Sequence, residues 1–318
     1  MHVTDRMRAL RIHERGGPEH LVEEEAPVPT PTLGDALIRV HAASFTPTEL
    51  TWPSTWVDRA GRDRRPVIPS HEVSGVVTAL GYGTTGVSVG DEVFGLTDWY
   101  RDGAAAEYVA VEGRNLAVKP RTLDHATAAA VPMVALTAVQ ALFVHGRLER
   151  GQRVLVLGAG GGVGSFAVQL ARAAGAHVVA AARGWARELA RDLGAERFVD
   201  VDESTLEDVV RDVELVFDLV GGEALARASA AVAAGGTVVS AVEAPPTGGA
   251  AARRVFFVVE PNREQLAAVG ARMAAGELRP VVGATWPLAE GRAAFAAKQR
   301  GRLAGKAVLR VVDGGGGV

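Results

Sequence analysis

The run from Gly151 to Arg183, GQRVLVLGAGGGVGSFAVQLARAAGAHVVAAAR, restricts this chain's fold more than any other stretch. Arg153 to Leu157 is a short apolar run, as expected of a strand buried on both faces. Five glycines follow within seven residues, at 158, 160, 161, 162 and 164. Val163, Ala167, Leu170 and Ala174 then recur at helical spacing, and Gly175 is placed as a C-terminal cap. Val178 to Ala182 completes strand, loop, helix and strand. A glycine loop entering a helix lets backbone approach a pyrophosphate, and the free N–H groups and helix dipole hold its charge. The spacing departs from G-x-G-x-x-G, because Ala159 stands at the first glycine. What remains is Gly158-x-x-Gly161-x-x-Gly164, and the flanking strand and helix supply the context the motif requires.

The end of the second strand bears on the choice of cofactor. A site for NAD places Asp or Glu about 20 residues on, to bind the ribose 2′-hydroxyl. Here the chain reads Ala180-Ala181-Ala182-Arg183-Gly184, with Arg187 one turn later and no acid before Glu188. Arg183 offers a 2′-phosphate a planar, permanently charged fork, so NADPH is the expected cofactor.

Composition narrows the class. A chain of 318 residues with 48% hydrophobic and 22% charged residues reads as globular, with one or two domains. A net charge of −3 argues against nucleic acid as a partner. No apolar run reaches membrane-spanning length, and the N-terminus lacks a signal-peptide core. With no cysteine there is no disulfide, thiolate nucleophile or cysteine-ligated zinc, which fits a cytoplasmic location.

Residues 1–123 read as short strands with glycine turns, a compact β domain. Strands are expected over Met7–His13, Asp35–Ala42, Val73–Leu80, Gly90–Gly95 and Ala106–Val111. From Asp124 to Val144 the chain is alanine-rich and helical, interrupted by Pro132. Alternating βα units continue to about residue 260: a helix over Trp185–Leu193, a strand over Arg197–Val201, a short helix over Leu206–Arg211, strands over Leu215–Val220 and Thr237–Val242 around a helix at Gly222–Ala233, and a strand over Val255–Val259. Such alternation indicates a doubly wound parallel sheet. Residues 261–318 return to β-domain material: a helix at 262–276, a strand over Val281–Trp286, a helix over Leu288–Arg300, a strand over Ala307–Val312 and a glycine tail at Gly314–Gly317. The expected class is α/β, a dinucleotide-binding sheet at 124–260 inserted into a mostly β domain.

Several segments in register resemble the medium-chain dehydrogenase/reductase superfamily, particularly its zinc-free quinone oxidoreductase branch. They are Ala42-Ala43-Ser44-Phe45-Thr46-Pro47, Gly75-Val76-Val77, Val89 to Gly95, Ala106-Glu107-Tyr108-Val109, Leu136-Thr137-Ala138, Gly161 to Ser165, Leu193-Gly194-Ala195 and Gly305 to Leu309. The resemblance implies a Rossmann domain inserted into a GroES-like catalytic domain, with the active site in the cleft between them. In zinc-dependent relatives a cysteine, a histidine and a second cysteine hold the catalytic metal. Aligning the motifs puts those positions at Thr46, His71 and Met133, so no metal is expected. Many quinone reductase relatives carry Asn at the position of Thr46 and Asp at that of Glu49.

The resemblance implies reduction of quinones or α,β-unsaturated carbonyls by NADPH. An NADP-dependent alcohol or aldehyde oxidoreductase and a non-catalytic NADPH-binding redox sensor are the alternatives. Hydride reduction leaves negative charge on an acceptor oxygen, which needs a hydrogen-bond or proton donor. Thr46 and Thr137 are either nicotinamide or ribose-phosphate contacts, Thr46 with a catalytic hydroxyl besides, or a turn hydroxyl and an ordinary helix residue respectively. His71 is either a proton donor or a histidine satisfied by Glu72. Tyr100 either donates its hydroxyl or lines the pocket, and Trp52 and Trp56 form a flat lid or pack the domain edge. Gly161, Gly162 and Val163 should face the pyrophosphate. Val220 and Val242, at carboxyl ends of strands, should border the cofactor. By resemblance, the main chain of Phe256, Phe257 and Val258 should hold the carboxamide. A small-molecule substrate and a homodimer joined through the edge strand Ala252–Val259 complete the expectations.

Overall fold

The computed structural model describes residues 5–206, 210–247, 252–301 and 303–312. It divides into two compact units. One comprises Met1–Met133, Pro261–Glu277 and Val282–Val318, the other Val134–Glu260 and Leu278–Val281. The middle of the helix expected over Leu206–Arg211 and the glycine tail lie outside the described residues.

The first unit opens with an antiparallel ribbon, β1 (Arg6–Ile12) against β2 (Leu21–Pro27). Next come β3 (Asp35–Phe45), β4 (Glu72–Leu80), β5 (Glu92–Leu96), β6 (Tyr108–Glu112) and β7 (Leu116–Val118). The long β3 takes both β4 and β6 as antiparallel partners and is buried over most of its length.

The second unit holds β8 (Arg153–Leu157), β9 (His177–Ala182), β10 (Arg197–Asp200), β11 (Val213–Asp218), β12 (Val232–Ser240) and β13 (Arg253–Phe256). Their order in the sheet is β10-β9-β8-β11-β12-β13, and every pairing is parallel. Counted from β8, that is 3-2-1-4-5-6, the dinucleotide-binding order, whose switch point lies between β8 and β11. The chain then returns to the first unit with β14 (Val282–Pro287) and β15 (Lys306–Arg310). These complete a sheet ordered β14-β15-β3-β4-β5-β7, with β6 on β3. Its core includes Phe45 stacked on Phe295 from the helix Gly291–Gln299, ring centroids 3.7 Å apart.

Several boundaries differ from the sequence reading. The first unit extends to Met133 rather than residue 123, because the helix His125–Ala129 packs on β3 and β4 and buries Ala129 and Ala130 against Ala42 and Val308. The second unit also keeps Leu278–Val281, where Gln169 pairs its side-chain amide with Arg279 N and O at 2.9 Å each. The helix expected over Trp185–Leu193 is a single tight turn, Gly184–Ala186, followed by Arg187–Asp192 and stopped where Gly194 has φ of +104°. The last sheet strand ends at Phe256, so Phe257, Val258 and Val259 lie beyond it.

Candidate active site

In the second unit, β8 ends in a loop that returns sharply into the helix Gly162–Ala173. Gly158 has φ of +78°, a conformation costly for any residue with a β-carbon, and its N–H donates to Ala181 O at 2.9 Å. A β-carbon on Gly164 would stand 2.3 Å from Gly158 O, so only glycine lets the helix approach the strand this closely. The helix starts at Gly161 with no side-chain cap. The N–H groups of its first turn, at Gly162 and Val163, therefore lack a side-chain acceptor on a half-buried surface. This cradle fits the pyrophosphate of a dinucleotide, with Gly161, Gly162 and Val163 as the residues that would hold it.

Beyond β9 the two arginines part company. Arg183 is exposed and has no ion-pair partner among the described residues. Arg187 is already engaged: its Nη2 is 3.3 Å from Asp200 Oδ2 and 3.5 Å from Glu203, and its guanidinium lies 4.9 Å from the Phe198 ring centre. Of the two, Arg183 is the one without an ion-pair partner among the described residues, with Ala180, Ala181 and Ala182 leading up to it.

The far side of the switch point is fixed by a buried polar pair. Asp218 Oδ2 accepts from Ser240 Oγ at 2.7 Å, and Asp218 Oδ1 accepts from the N–H groups of Val220 and Gly221 at 3.0 Å each. Ser240 Oγ in turn accepts from Val242 N at 3.1 Å. The pair thus pins the loops carrying Val220 and Val242, whose side chains are 54% and 47% exposed. Val220 Cγ2 would be 3.3 Å from a β-carbon on Gly158, so the two strand ends meet at the glycine loop. The run Phe256–Val258 is less uniform than the sequence suggested. Phe257 is buried with its ring 4.6 Å from His145, and its N–H is spent on Ser240 O at 3.2 Å. Phe256 and Val258 are exposed. Thr137 is buried in the helix Pro132–Val139.

In the first unit the catalytic candidates gather around β4. Thr46 Oγ1 lies 3.0 Å from Met133 Sδ, and Thr46 N donates to Glu49 Oε2 at 3.2 Å. The other Glu49 oxygen accepts from Ser70 N at 2.6 Å. Ser70, at φ +74°, turns the chain into His71. His71 is buried, and its Nδ1 is 2.7 Å from Thr97 Oγ1. Burial first, then the charge of Arg64, pushes its pKa down to about 3, so the ring is neutral at physiological pH. Desolvation raises Glu49 to about 8, against the opposing pull of its two N–H donors and Lys306. Glu72 does not serve His71. Its side chain pairs with Lys306 and accepts from Met133 N at 3.1 Å, while Lys306 also donates to Phe45 O at 2.8 Å. Trp52 and Trp99 frame the histidine, with ring centres 6.4 and 5.3 Å from it. Trp56 faces the core and donates to Leu50 O at 2.9 Å, so the partner of Trp52 is Trp99. Tyr100 is exposed, with the Arg59 guanidinium 4.9 Å from its ring centre.

Residues 32–121 match the model for the alcohol dehydrogenase GroES-like domain, and residues 193–309 that for a zinc-binding dehydrogenase. Mouse (Mus musculus) NAD(P)H oxidoreductase RTN4IP1, mitochondrial, is 31% identical over 327 residues, covering 87% of this chain and 82% of that protein. The chain belongs to the medium-chain dehydrogenase/reductase superfamily, in its quinone oxidoreductase branch. Arabidopsis thaliana NADPH-dependent alkenal/one oxidoreductase, chloroplastic, is 31% identical over 335 residues, 96% of this chain and 80% of the relative. The solved structure of the quinone oxidoreductase from Coxiella burnetii superposes with a TM-score of 0.88 at 28% identity, covering 96% of this chain and all of that one. Like its superfamily, the chain is an oxidoreductase with a nicotinamide cofactor.

Within a superfamily that includes zinc enzymes, the donor set here does not fit zinc. A hydroxyl and a thioether, Thr46 and Met133, meet at 3.0 Å, and neither is the thiolate that such a site needs. Among the described residues no three His, Cys, Asp or Glu side chains are placed to hold a metal ion. Sequence reasoning gave no role to Lys306, Trp99, Thr97 and Arg64. One signal was present: Lys306 opens the strand Lys306–Arg310 directly before the apolar run Ala307–Leu309 and is buried, whereas Arg310 at its end is exposed. A charge there requires a buried counter-ion, and Glu72 provides it.

Proposed function

We propose that this chain is a zinc-independent, NADPH-dependent reductase of quinones or α,β-unsaturated carbonyls. The observation that carries the reading is the Thr46–Met133 pair in place of metal-binding thiolates, beside a neutral, buried His71. An unactivated ketone needs a Lewis acid to accept a hydride readily. A quinone or enone is electrophilic enough to accept one with hydrogen bonding alone. When bound, the cofactor supplies the hydride. A proton from solvent or a donor side chain completes the two-electron reduction.

Gly161, Gly162 and Val163 hold the pyrophosphate, and Arg183 meets the 2′-phosphate. Thr137, Val220, Val242 and the run Phe256–Val258 border the rest of the cofactor. Thr46, His71 and Tyr100 handle the acceptor. His71 acts as a neutral donor: if Thr97 donates to Nδ1, the remaining ring N–H is at Nε2 and can point at an acceptor oxygen. At a pKa near 3 the ring is no general acid at neutral pH. Trp52 and Trp99 offer flat faces to an aromatic acceptor.

The reading extends to a homodimer formed through β13, the terminal strand of its sheet, and a monomer mass by light scattering at micromolar concentration would contradict that. It also places the protein in the cytoplasm. Among the described residues no helix is long and apolar enough to cross a membrane, although the mouse relative is named mitochondrial. NADPH oxidation with a panel of quinones, enones, aldehydes and ketones, with and without chelator, tests the activity. Turnover of quinones or enones that chelator leaves unchanged is expected. Chelator-sensitive carbonyl turnover, or tight NADPH binding without any turnover, would overturn it.

A further inference from the structure

Where β9 and β10 leave the sheet, Arg187, Asp200 and Glu203 come together beside Gly184. Asp200, the last residue of β10, pairs in register with Ala182, and Val201 N donates to Ala182 O at 3.1 Å. A β-carbon on Gly184 would stand 2.4 Å from Asp200 Oδ2. The carboxylate therefore lies against the backbone immediately after Arg183. It is nearly buried, accepts from Asp202 N at 3.2 Å and is paired with Arg187 Nη2 at 3.3 Å. The Phe198 ring under the guanidinium holds Arg187 in that orientation.

An acid beside the adenosine ribose favours the 2′-hydroxyl of NADH and repels the 2′-phosphate of NADPH. This chain has no acid at the end of β9, but it has Asp200 one strand away. We infer that Arg187 is a positioning residue for cofactor choice: it neutralises Asp200, so that the charge of Arg183 dominates at the 2′-phosphate without Arg187 touching that group. The inference rests on the NADPH reading above. The Asp200 carboxylate lies against Gly184, the residue after Arg183, and a charge within the Debye length of about 8 Å of the phosphate would act on it largely unscreened.

The test is fluorescence titration of NADPH and NADH against wild type, Arg187→Ala, Arg187→Lys, Asp200→Asn and the Arg187→Ala/Asp200→Asn double variant, each first checked for folding by circular dichroism. Arg187→Ala should bind NADPH about tenfold more weakly and NADH within about twofold of wild type. Arg187→Lys keeps the charge and should stay near wild type. Adding Asp200→Asn to Arg187→Ala should restore NADPH binding to within about twofold, because the nearly buried charge is gone and that of Glu203, which is 72% exposed, is screened by solvent. A double variant as weak as Arg187→Ala would mean that Arg187 contacts the phosphate itself, and would overturn the inference. So would equal losses for both cofactors, which report damage to the fold. A wild type that prefers NADH would refute the underlying NADPH reading before any variant is compared.

Discussion

Replacing Lys306 by methionine tests the buried charge network under the catalytic candidates. Lys306 and Glu72 are 5% and 0% exposed, and Glu49, also buried, feels the Lys306 charge. Methionine has nearly the same length, so the chief change is loss of the cation and of its bond to Phe45 O. Breaking a buried ion pair from one side costs about 3–5 kcal/mol. The expected destabilisation is therefore about 3–5 kcal/mol at pH 7. Urea unfolding followed by tryptophan fluorescence measures this directly. The Lys306→Met/Glu72→Gln double variant should recover most of the deficit, because the unpaired carboxylate is gone. A deficit below about 1 kcal/mol, or a double variant no more stable than Lys306→Met, would refute the argument.

Other consequences follow from the same geometry. Glu49 has a folded pKa of about 8, above its unfolded value, so its contribution to stability is present below about pH 4.5 and is lost as pH rises towards 8. Relative to Glu49→Gln, wild type should therefore lose up to about 1.4 kcal/mol per pH unit between pH 6.5 and 8 in chemical denaturation. His71, depressed to about 3, works in the opposite sense: its contribution is present above about pH 6.5 and is lost as pH falls towards 3, a loss that His71→Asn should abolish in acid-unfolding curves. Gly164→Ala would place a methyl 2.3 Å from Gly158 O and 2.6 Å from Ala159 Cα, both backbone. It should cost about 1–3 kcal/mol in thermal unfolding and weaken cofactor binding at least about tenfold in titration.

The nucleotide-binding unit was legible because its signals are local. An apolar pentad, a glycine loop and a helix lie within the 21 residues Arg153–Ala173, and the repeated βα units imply a doubly wound parallel sheet, whose strand order only the structure gives. Gly194 marks a helix stop for an equally local reason, its φ of +104°. What the sequence hid depends on contacts between distant residues. His71 reaches Thr97, 26 residues on, rather than its neighbour Glu72, because adjacent residues at a strand point to opposite faces. Glu72 finds its partner at Lys306, across most of the chain. The first unit's extension to Met133 has the same origin: alanines 129 and 130 look helical in sequence, and only packing against Ala42 and Val308 decides which unit owns them. The engagement of Arg187 was hidden for the same reason, because Asp200, its partner, arrives one strand later.

The proposed use of NADPH through Arg183 is tested most directly by the pair of dissociation constants for NADPH and NADH in wild type and Arg183→Ala. Wild type should bind NADPH the more tightly. Arg183→Ala should lose about ten- to hundredfold in NADPH affinity, the value of one charge-assisted contact, while NADH, which lacks the phosphate, should bind within about twofold of wild type. Rising salt should erode the NADPH advantage in wild type and leave the variant almost unchanged. Equal losses for the two cofactors, or a wild type that binds NADH as tightly as NADPH, would contradict the claim.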